Sequence, residues 1–293
     1  MAVFTPLQNL LIPVLLEVFT TKKSLRKHLE QMRDLNKTIG FVPTMGALHP
    51  GHISLIDQAR QENDVIVCSI FVNPTQFNDP KDLEKYPRTL AIDSLLLEQA
   101  NCDILFNPAV NEIYDDNEHW HLDIGELEFL LEGEFRPGHY QGVTQVVYKL
   151  FDIVRPDVAY FGQKDYQQFM VISKMVEMMK MPVKLVMCPI KREDDGLAMS
   201  SRNIHLTADD RKHALILSKA LNFVKDNFGT DRLSQLKRAA ELMIGDEPGV
   251  ELEYFEIVDG TTLHQANENT KKIAALVAAR VGKTRLIDNV LIR

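Results

Sequence analysis

Val65–Phe71 reads VIVCSIF, a run without a single charge and rich in β-branched side chains. A strand with one face in water alternates apolar and polar residues. An unbroken run like this one belongs to a strand covered on both faces, as in a parallel sheet. Upstream, Ile39–Pro43 is a second short apolar run, followed by a glycine-bearing turn and a helical pattern over Ile53–Gln61. Before that, Leu25, Leu29 and Met32 lie at helical spacing among Lys, Arg and Glu, the pattern of an amphipathic surface helix. Downstream, Thr89–Ala100, Thr144–Val154 and Tyr166–Lys180 read as helices, and Asp103–Phe106, Asp157–Phe161 and Val183–Cys188 as strands. Strands alternating with helices imply βαβ crossovers, and so an α/β fold with a Rossmann-like, doubly wound parallel sheet.

The pattern changes after Pro189. Lys191–Asn203 is polar and loop-like, Ala208–Asn227 and Arg232–Ile244 are helical, and Glu251–Val258, Ile273–Ala279 and Thr284–Ile292 are strand-like, the last two joined across Gly282. Helices followed by a run of strands suggest a smaller C-terminal α+β domain. The expected division is residues 1–189 and 190–293.

Composition narrows the function. Of 293 residues, 45% are hydrophobic and 25% charged, the proportions of a globular protein. The 33 Lys and Arg against 41 Asp and Glu leave a net charge of −8 with no basic block, which disfavours nucleic acid as a partner. An anionic ligand must therefore be held by a local cluster of donors. Cys68, Cys102 and Cys188 are odd in number and far apart, which suits a reducing compartment. The apolar stretch Leu7–Leu16 is interrupted by Gln8, Asn9 and Pro13, and the first basic residue is Lys22, so neither a secretory leader nor a membrane span is expected. The cytoplasm is the default location.

Ligands of open α/β sheets gather at the carboxyl ends of the strands, so the residues just past Pro43, Phe71, Phe161 and Cys188 carry the functional reading. Pro43–His52, PTMGALHPGH, takes a strand through a turn into a helix with two histidines three residues apart. That spacing puts His49 and His52 on one face, beside the unsatisfied N–H groups of a helix N-terminus, a cradle for phosphate that needs no lysine. Zinc is disfavoured, because no third Cys, His or carboxylate lies at ligand spacing nearby. Met199–Asn203, MSSRN, offers two hydroxyls and a guanidinium suited to a polyphosphate. Together the two segments resemble the HIGH and KMSKS signatures of the nucleotidyltransferase superfamily that includes class I aminoacyl-tRNA synthetases.

Six segments in order carry a closer likeness: FVPTMGALHPGH (Phe41–His52), SIFVNPTQF (Ser69–Phe77), EKYPRT (Glu84–Thr89), LEGEFRPGHYQGV (Leu131–Val143), RPDVAYFGQKDYQQ (Arg155–Gln168) and DGLAMSSRN (Asp195–Asn203). The ensemble, with LIDN at Leu286–Asn289, resembles the pantoate–β-alanine ligase family from about Val14 onward. The resemblance implies ATP-dependent activation of pantoate to pantoyl-adenylate with release of pyrophosphate, then attack by β-alanine to give pantothenate and AMP. It also implies Mg²⁺, a homodimer, and a C-terminal domain closing over the site. Two departures are visible: the family's usual GEKD appears as Gly162-Gln163-Lys164-Asp165, and the first residues, to about Pro13, extend beyond the usual start without a motif.

Carried over residue by residue, the resemblance makes His49, His52, Lys164, Ser200, Ser201 and Arg202 the catalytic set, with His52 a proton donor and Lys164 at the α-phosphate. The implied ATP site adds Met45, Gly46, Ala47, Leu48, Pro50 and Gly51 from the histidine turn. Gly162, Gln163, Asp165, backbone near Lys191, and Met199 complete it. Gln76 and Gln168 are assigned to pantoate, Gln76 also to β-alanine, with Asn73 a neighbour; amides donate and accept together and so read hydroxyl and carboxylate oxygens. Pro43, Met45, Val143 and Val147 are candidates for the gem-dimethyl pocket, and Arg136 and His139 are further candidates. The metal ligands and the base for the β-alanine amine stay open. The alternative is another HIGH-type nucleotidyltransferase resembling phosphopantetheine adenylyltransferase, which leaves the paired amides without a use; a silent nucleotide-binding protein leaves the intact His, Lys and Arg set without one. A P-loop is excluded, since Val277 stands where Gly282-Lys283-Thr284 would need its first glycine.

Overall fold

Strands β1 (Glu17–Phe19), β2 (Ile39–Thr44), β3 (Val65–Ile70), β4 (Ile104–Phe106), β5 (Val158–Gly162) and β6 (Lys184–Cys188) form one parallel sheet in the order β1-β4-β3-β2-β5-β6. The structure is a computed structural model and describes residues 15–78, 80–115 and 118–293. The apolar stretch 7–16 lies, but for its last two residues, outside them. Helices α1 (Lys22–Asp34), α2 (Pro50–Glu62), α3 (Pro80–Lys85), α4 (Leu90–Gln99), α5 (Val110–Ile113), α6 (Glu132–Phe135), α7 (His139–Val154) and α8 (Tyr166–Met178) connect the strands.

The continuous apolar run of β3 is explained by where its neighbours point. Val67 joins Phe41, Ile104, Phe106, Ala159 and Phe161 in a core shared with α1, α7 and α8. Ile66 and Cys68 join Val42, Leu105 and Tyr160 in the opposite core, beside Leu55 and Ile56 of α2 and Leu97 of α4. Successive side chains alternate between faces, and both faces are covered, so no position of the strand meets water. The α/β reading holds.

The sequence expectation contains neither the edge strand β1 nor the short helices α3, α5 and α6, and it starts α7 late. The edge strand β1 pairs Glu17 with Ile104 through Phe19 with Phe106, but its three residues are too few to form a pattern, and only Phe19 is partly buried. Helix α7 starts at His139, five residues before the expected Thr144, because Gly142, which reads as a helix breaker, lies inside it.

The C-terminal part holds α9 (Ala208–Asp226), α10 (Leu233–Gly245) and an antiparallel sheet of β7 (Val250–Asp259), β8 (Ile273–Val281) and β9 (Thr284–Leu291). One face of this sheet packs on the two helices through Leu217, Leu221, Leu236, Ala275 and Val277. Its other face meets Tyr166 and Met187 through Val258, Ala274 and Leu276. Among the described residues, no helix is long and apolar enough to cross a membrane.

Candidate active site

After β2 the chain lays β3 and β4 on one side, then returns to place β5 and β6 on the other. The loops leaving β2 and β5 therefore diverge and open a crevice at the carboxyl ends of these two strands, where such sheets bind ligands. A cleft of about 220 Å³ lies there. Met45, His49, Gly51 and His52 line it from the histidine turn, Asn73 and Gln76 from beyond β3, and Gly162, Lys164, Asp165 and Gln168 from beyond β5. Lys191, Met199, Ser200, Ser201 and Arg202 line it from the loop after β6. Pro43, Val143 and Val147 supply its apolar wall. Of the ATP-site residues named from sequence, five, Gly46, Ala47, Leu48, Pro50 and Gln163, do not line the cleft.

Those five shape it from behind. The N–H groups of Ala47 and Leu48 donate to the two carboxylate oxygens of Asp93 (3.0 and 2.8 Å), which also accept from the Thr89 hydroxyl. Asp93 is 1% exposed, so this carboxylate pins the Gly46–Ala47 turn, where φ is +82° and +50°. Leu48 points into the core beside Leu55. Pro50 opens α2, where a missing N–H costs nothing. Gln163 exchanges an amide hydrogen bond with Asn289 of β9 (3.1 Å), and Asn289 donates in turn to the Gln163 and Lys164 carbonyls (3.0 and 2.9 Å). The glutamine that departs from the family pattern thus faces the second sheet rather than the cleft.

The two histidines form the N-terminal cap of α2. His49 Nδ1 accepts from the Gly51 N–H (3.1 Å), and His52 Nδ1 accepts from the His49 N–H (3.3 Å). A neutral ring whose Nδ1 accepts carries its proton on Nε2, so each ring has a single N–H donor and no spare lone pair. Burial, with the Lys164 ammonium nearby, holds His49 down at about 4. Burial, His49 and Lys164 push His52 well below its ordinary value. Gly51 is required here: a Cβ on it would meet the His49 ring at 2.8 Å.

Gln76 is oriented by buried neighbours. Asn73 donates from its amide nitrogen to Gln76 Oε1 (3.1 Å) and to the Gly142 carbonyl (3.1 Å). Its oxygen accepts from the Tyr114 hydroxyl (2.6 Å) and from Thr75. Asn73 is 1% exposed and its amide is fully committed, so it positions Gln76 and leaves the Gln76 Nε2 donors on the cleft side, against Met45 Sδ (3.1 Å). His139 donates from Nδ1 to the Gln76 carbonyl (2.9 Å), and burial keeps its ring neutral, with its pKa down at about 4. The amide of Gln168 has no hydrogen-bond partner among the described residues.

Sequence reasoning missed Asp93, Tyr86, Gly142 and Asn289. Tyr86 lines the cleft together with Ser201 and Arg202. A Cβ on Gly142 would lie 2.4 Å from the Thr75 carbonyl oxygen. Gly142→Ala should therefore push α7 off the Gln76 turn and destabilise the protein by about 1–3 kcal/mol, read as a lower denaturation midpoint. An unchanged midpoint would show that the approach is slack. The loop bearing Ser200–Arg202 is fixed at its base by Arg192, which pairs with both oxygens of buried Asp288 (2.7 and 3.0 Å).

With this geometry in view, comparison with known proteins decides the family. The pantoate-beta-alanine ligase family model matches residues 17–291. The chain belongs to the pantoate–β-alanine ligase family. It is 47% identical over 279 residues to a pantothenate synthetase of Thermotoga neapolitana, covering 94% of this chain and 100% of the relative. A pantothenate synthetase of Bacteroides thetaiotaomicron is 46% identical over 94% of this chain and 98% of its own. The crystal structure of pantothenate synthetase from Thermus thermophilus superposes with a TM-score of 0.89 at 41% identity, covering 94% of this chain and 99% of that one. A family member from Francisella tularensis, 38% identical with a TM-score of 0.79 over 95% and 98% of the chains, was crystallised with an ATP compound (β-γ ATP) and β-alanine.

Proposed function

We propose that this cleft joins pantoate to β-alanine at the expense of ATP, through pantoyl-adenylate, releasing pyrophosphate and AMP. The observation that carries the reading is the meeting of two donor sets in one crevice. His49, His52, Lys164, Ser200, Ser201 and Arg202 suit phosphate oxygens, and Gln76 and Gln168 sit over an apolar wall that suits a small branched hydroxy acid. The Francisella relative, with its nucleotide and β-alanine, supports the same substrates here.

Pantoate's carboxylate is ionised at neutral pH, so its attack on the α-phosphorus needs no general base. What the site supplies is alignment and stabilisation of charge on the phosphate oxygens. Lys164 serves the α-phosphate, and Ser200, Ser201 and Arg202 the β- and γ-groups; the Nε2–H donors of His49 and His52 reach the phosphates without adding charge of their own. In the second step the β-alanine nitrogen bonds the acyl carbon and the carbon–oxygen bond to phosphate breaks. Because both histidine lone pairs are occupied, the amine's proton goes to the departing phosphate.

Among the described residues, no group of three or more His, Cys, Asp or Glu side chains is arranged to hold a metal ion. Mg²⁺ fits as an ion carried on the nucleotide phosphates, with Asp165 the carboxylate at the cleft; it would neutralise phosphate charge. Residues 190–293 act as the closing unit, latched by Asn289 and by the pairing of Glu132 with Arg285 (2.8 Å at both oxygens). A cytoplasmic homodimer completes the proposal.

Mass detection of pantothenate and AMP from pantoate, β-alanine and MgATP tests the reaction; ADP as the nucleotide product would contradict it. Gln76→Ala should raise the pantoate KM on the order of 10-fold or more and leave the ATP KM nearly unchanged. The reverse pattern would remove Gln76 from pantoate.

A further inference from the structure

The cleft continues past the two glutamines. A smaller chamber shares Met45, Gln76, Lys164, Asp165, Gln168 and Arg202 with it, and is closed on the far side by Arg136, His139, Glu132 and Tyr254. Arg136 is the unusual group. It is half-buried, yet among the described residues no carboxylate lies within ion-pair distance of it and no acceptor hydrogen-bonds it. The adjacent Glu132 is spoken for: both its oxygens receive Arg285, and one also receives the Tyr254 hydroxyl (2.9 Å). Burial and the nearby Arg202 guanidinium depress the pKa of Arg136, against the opposite pull of the Glu132 carboxylate. A guanidinium held in this way is a receptor for a planar anion.

Of the anionic groups in the proposed reaction, the triphosphate is already served by the histidine turn, Lys164 and Ser200–Arg202, and the pantoate carboxylate must face the α-phosphorus. The carboxylate of β-alanine is left. Its amine has to approach the acyl carbon at the two glutamines, and two methylenes then carry the carboxylate away from the nucleotide. We propose that Arg136 binds the β-alanine carboxylate in this chamber and sets the length of amine the enzyme accepts. This rests on the reading of the main cleft given above. The hydrogen bond from His139 to the Gln76 carbonyl ties the Arg136 segment to the glutamine over which the amine must pass, so the receptor and the acyl site are held at a fixed separation. An α-amino acid brings its carboxylate one carbon too close, and a four-carbon ω-amino acid one carbon too far.

The test separates the half-reactions in the full-length protein. Arg136→Gln should raise the β-alanine KM on the order of 10²-fold, and Arg136→Lys should recover part of the loss. Pantoate-dependent exchange of labelled pyrophosphate into ATP, which needs no β-alanine, should stay within about 3-fold of the parent and also reports that the variants fold. The parent's preference for β-alanine over neutral β-alaninamide should collapse in Arg136→Gln, an outcome a purely structural role would not produce. An unchanged β-alanine KM, an intact preference over the amide, or exchange falling in step with the full reaction would each overturn the proposal. A parent protein that forms no pantothenate would instead overturn the reading of the main cleft, and the proposal with it.

Discussion

Replacing either His49 or His52 with Ala should lower kcat on the order of 10²–10³-fold, the loss that follows removal of one preorganised donor to a developing oxyanion. The two rings are coupled through the cap of α2, with centroids 4.0 Å apart, so the double variant should lose little more than the worse single one. The same geometry fixes the pH behaviour. Both rings work as neutral Nε2–H donors, and His49 protonates only at about 4, so the rate should show no histidine limb near 6.5. Stability runs the other way from a stabilised His⁺. An unfolded chain takes up the proton first as pH falls through 6.5, the folded chain only at about 4, so stability present above 6.5 is lost progressively across that window. A kcat limb at 6.5 that vanishes in His52→Ala would show that a charged imidazole does the work. Near-normal turnover of both single variants would remove the phosphate role altogether.

Lys164→Ala should cost on the order of 10³-fold in kcat, because it removes the full charge offered to the α-phosphate. The ammonium stands 3.8 Å from the Asp165 carboxylate and is mostly shielded from solvent, at 17% exposure. Its backbone carbonyl is held by Asn289, so the side chain starts from a fixed point. Lys164→Arg should restore only part of the rate, since a planar fork cannot reproduce a compact point charge at the same atom. Full rescue by arginine, or a loss confined to the ATP KM, would place Lys164 on ground-state binding rather than on the transition state.

The segments that meet in the cleft were legible because each is short and local: a strand end, a turn, and the residues that follow. His49 and His52 could be placed at a helix N-terminus from the strand, glycine turn and helix pattern around them together with their spacing. What was not legible depends on contacts across the chain. Asp93 reads as a polar residue of the helix over 89–100, and only the approach of the Ala47 and Leu48 amides makes it a buried clamp. Thr89, four residues earlier, was the available signal, since it donates to the same carboxylate. Gly142 reads as a breaker, yet it is a contact point, its missing Cβ admitting the Thr75 carbonyl. Asn73 was grouped with the ligand-reading amides, but its two ends are consumed by Gln76, Gly142, Thr75 and Tyr114. Asn289 belongs to a strand of the second sheet, and its grip on Gln163 and Lys164 exists only once the two sheets are docked. The three residues of β1 gain strand geometry from pairing with β4, not from any pattern of their own.

The claim beneath all of this is that donors from separate chain segments align one carboxylate with the α-phosphorus of ATP. It is tested most directly with pantoate carrying ¹⁸O in its carboxyl group, incubated with β-alanine and MgATP, and mass analysis of the nucleotide product. The carboxyl oxygen that attacks phosphorus leaves with it, so the account predicts one labelled oxygen in AMP and none in pyrophosphate. Label in inorganic phosphate or pyrophosphate, with AMP unlabelled, would contradict it.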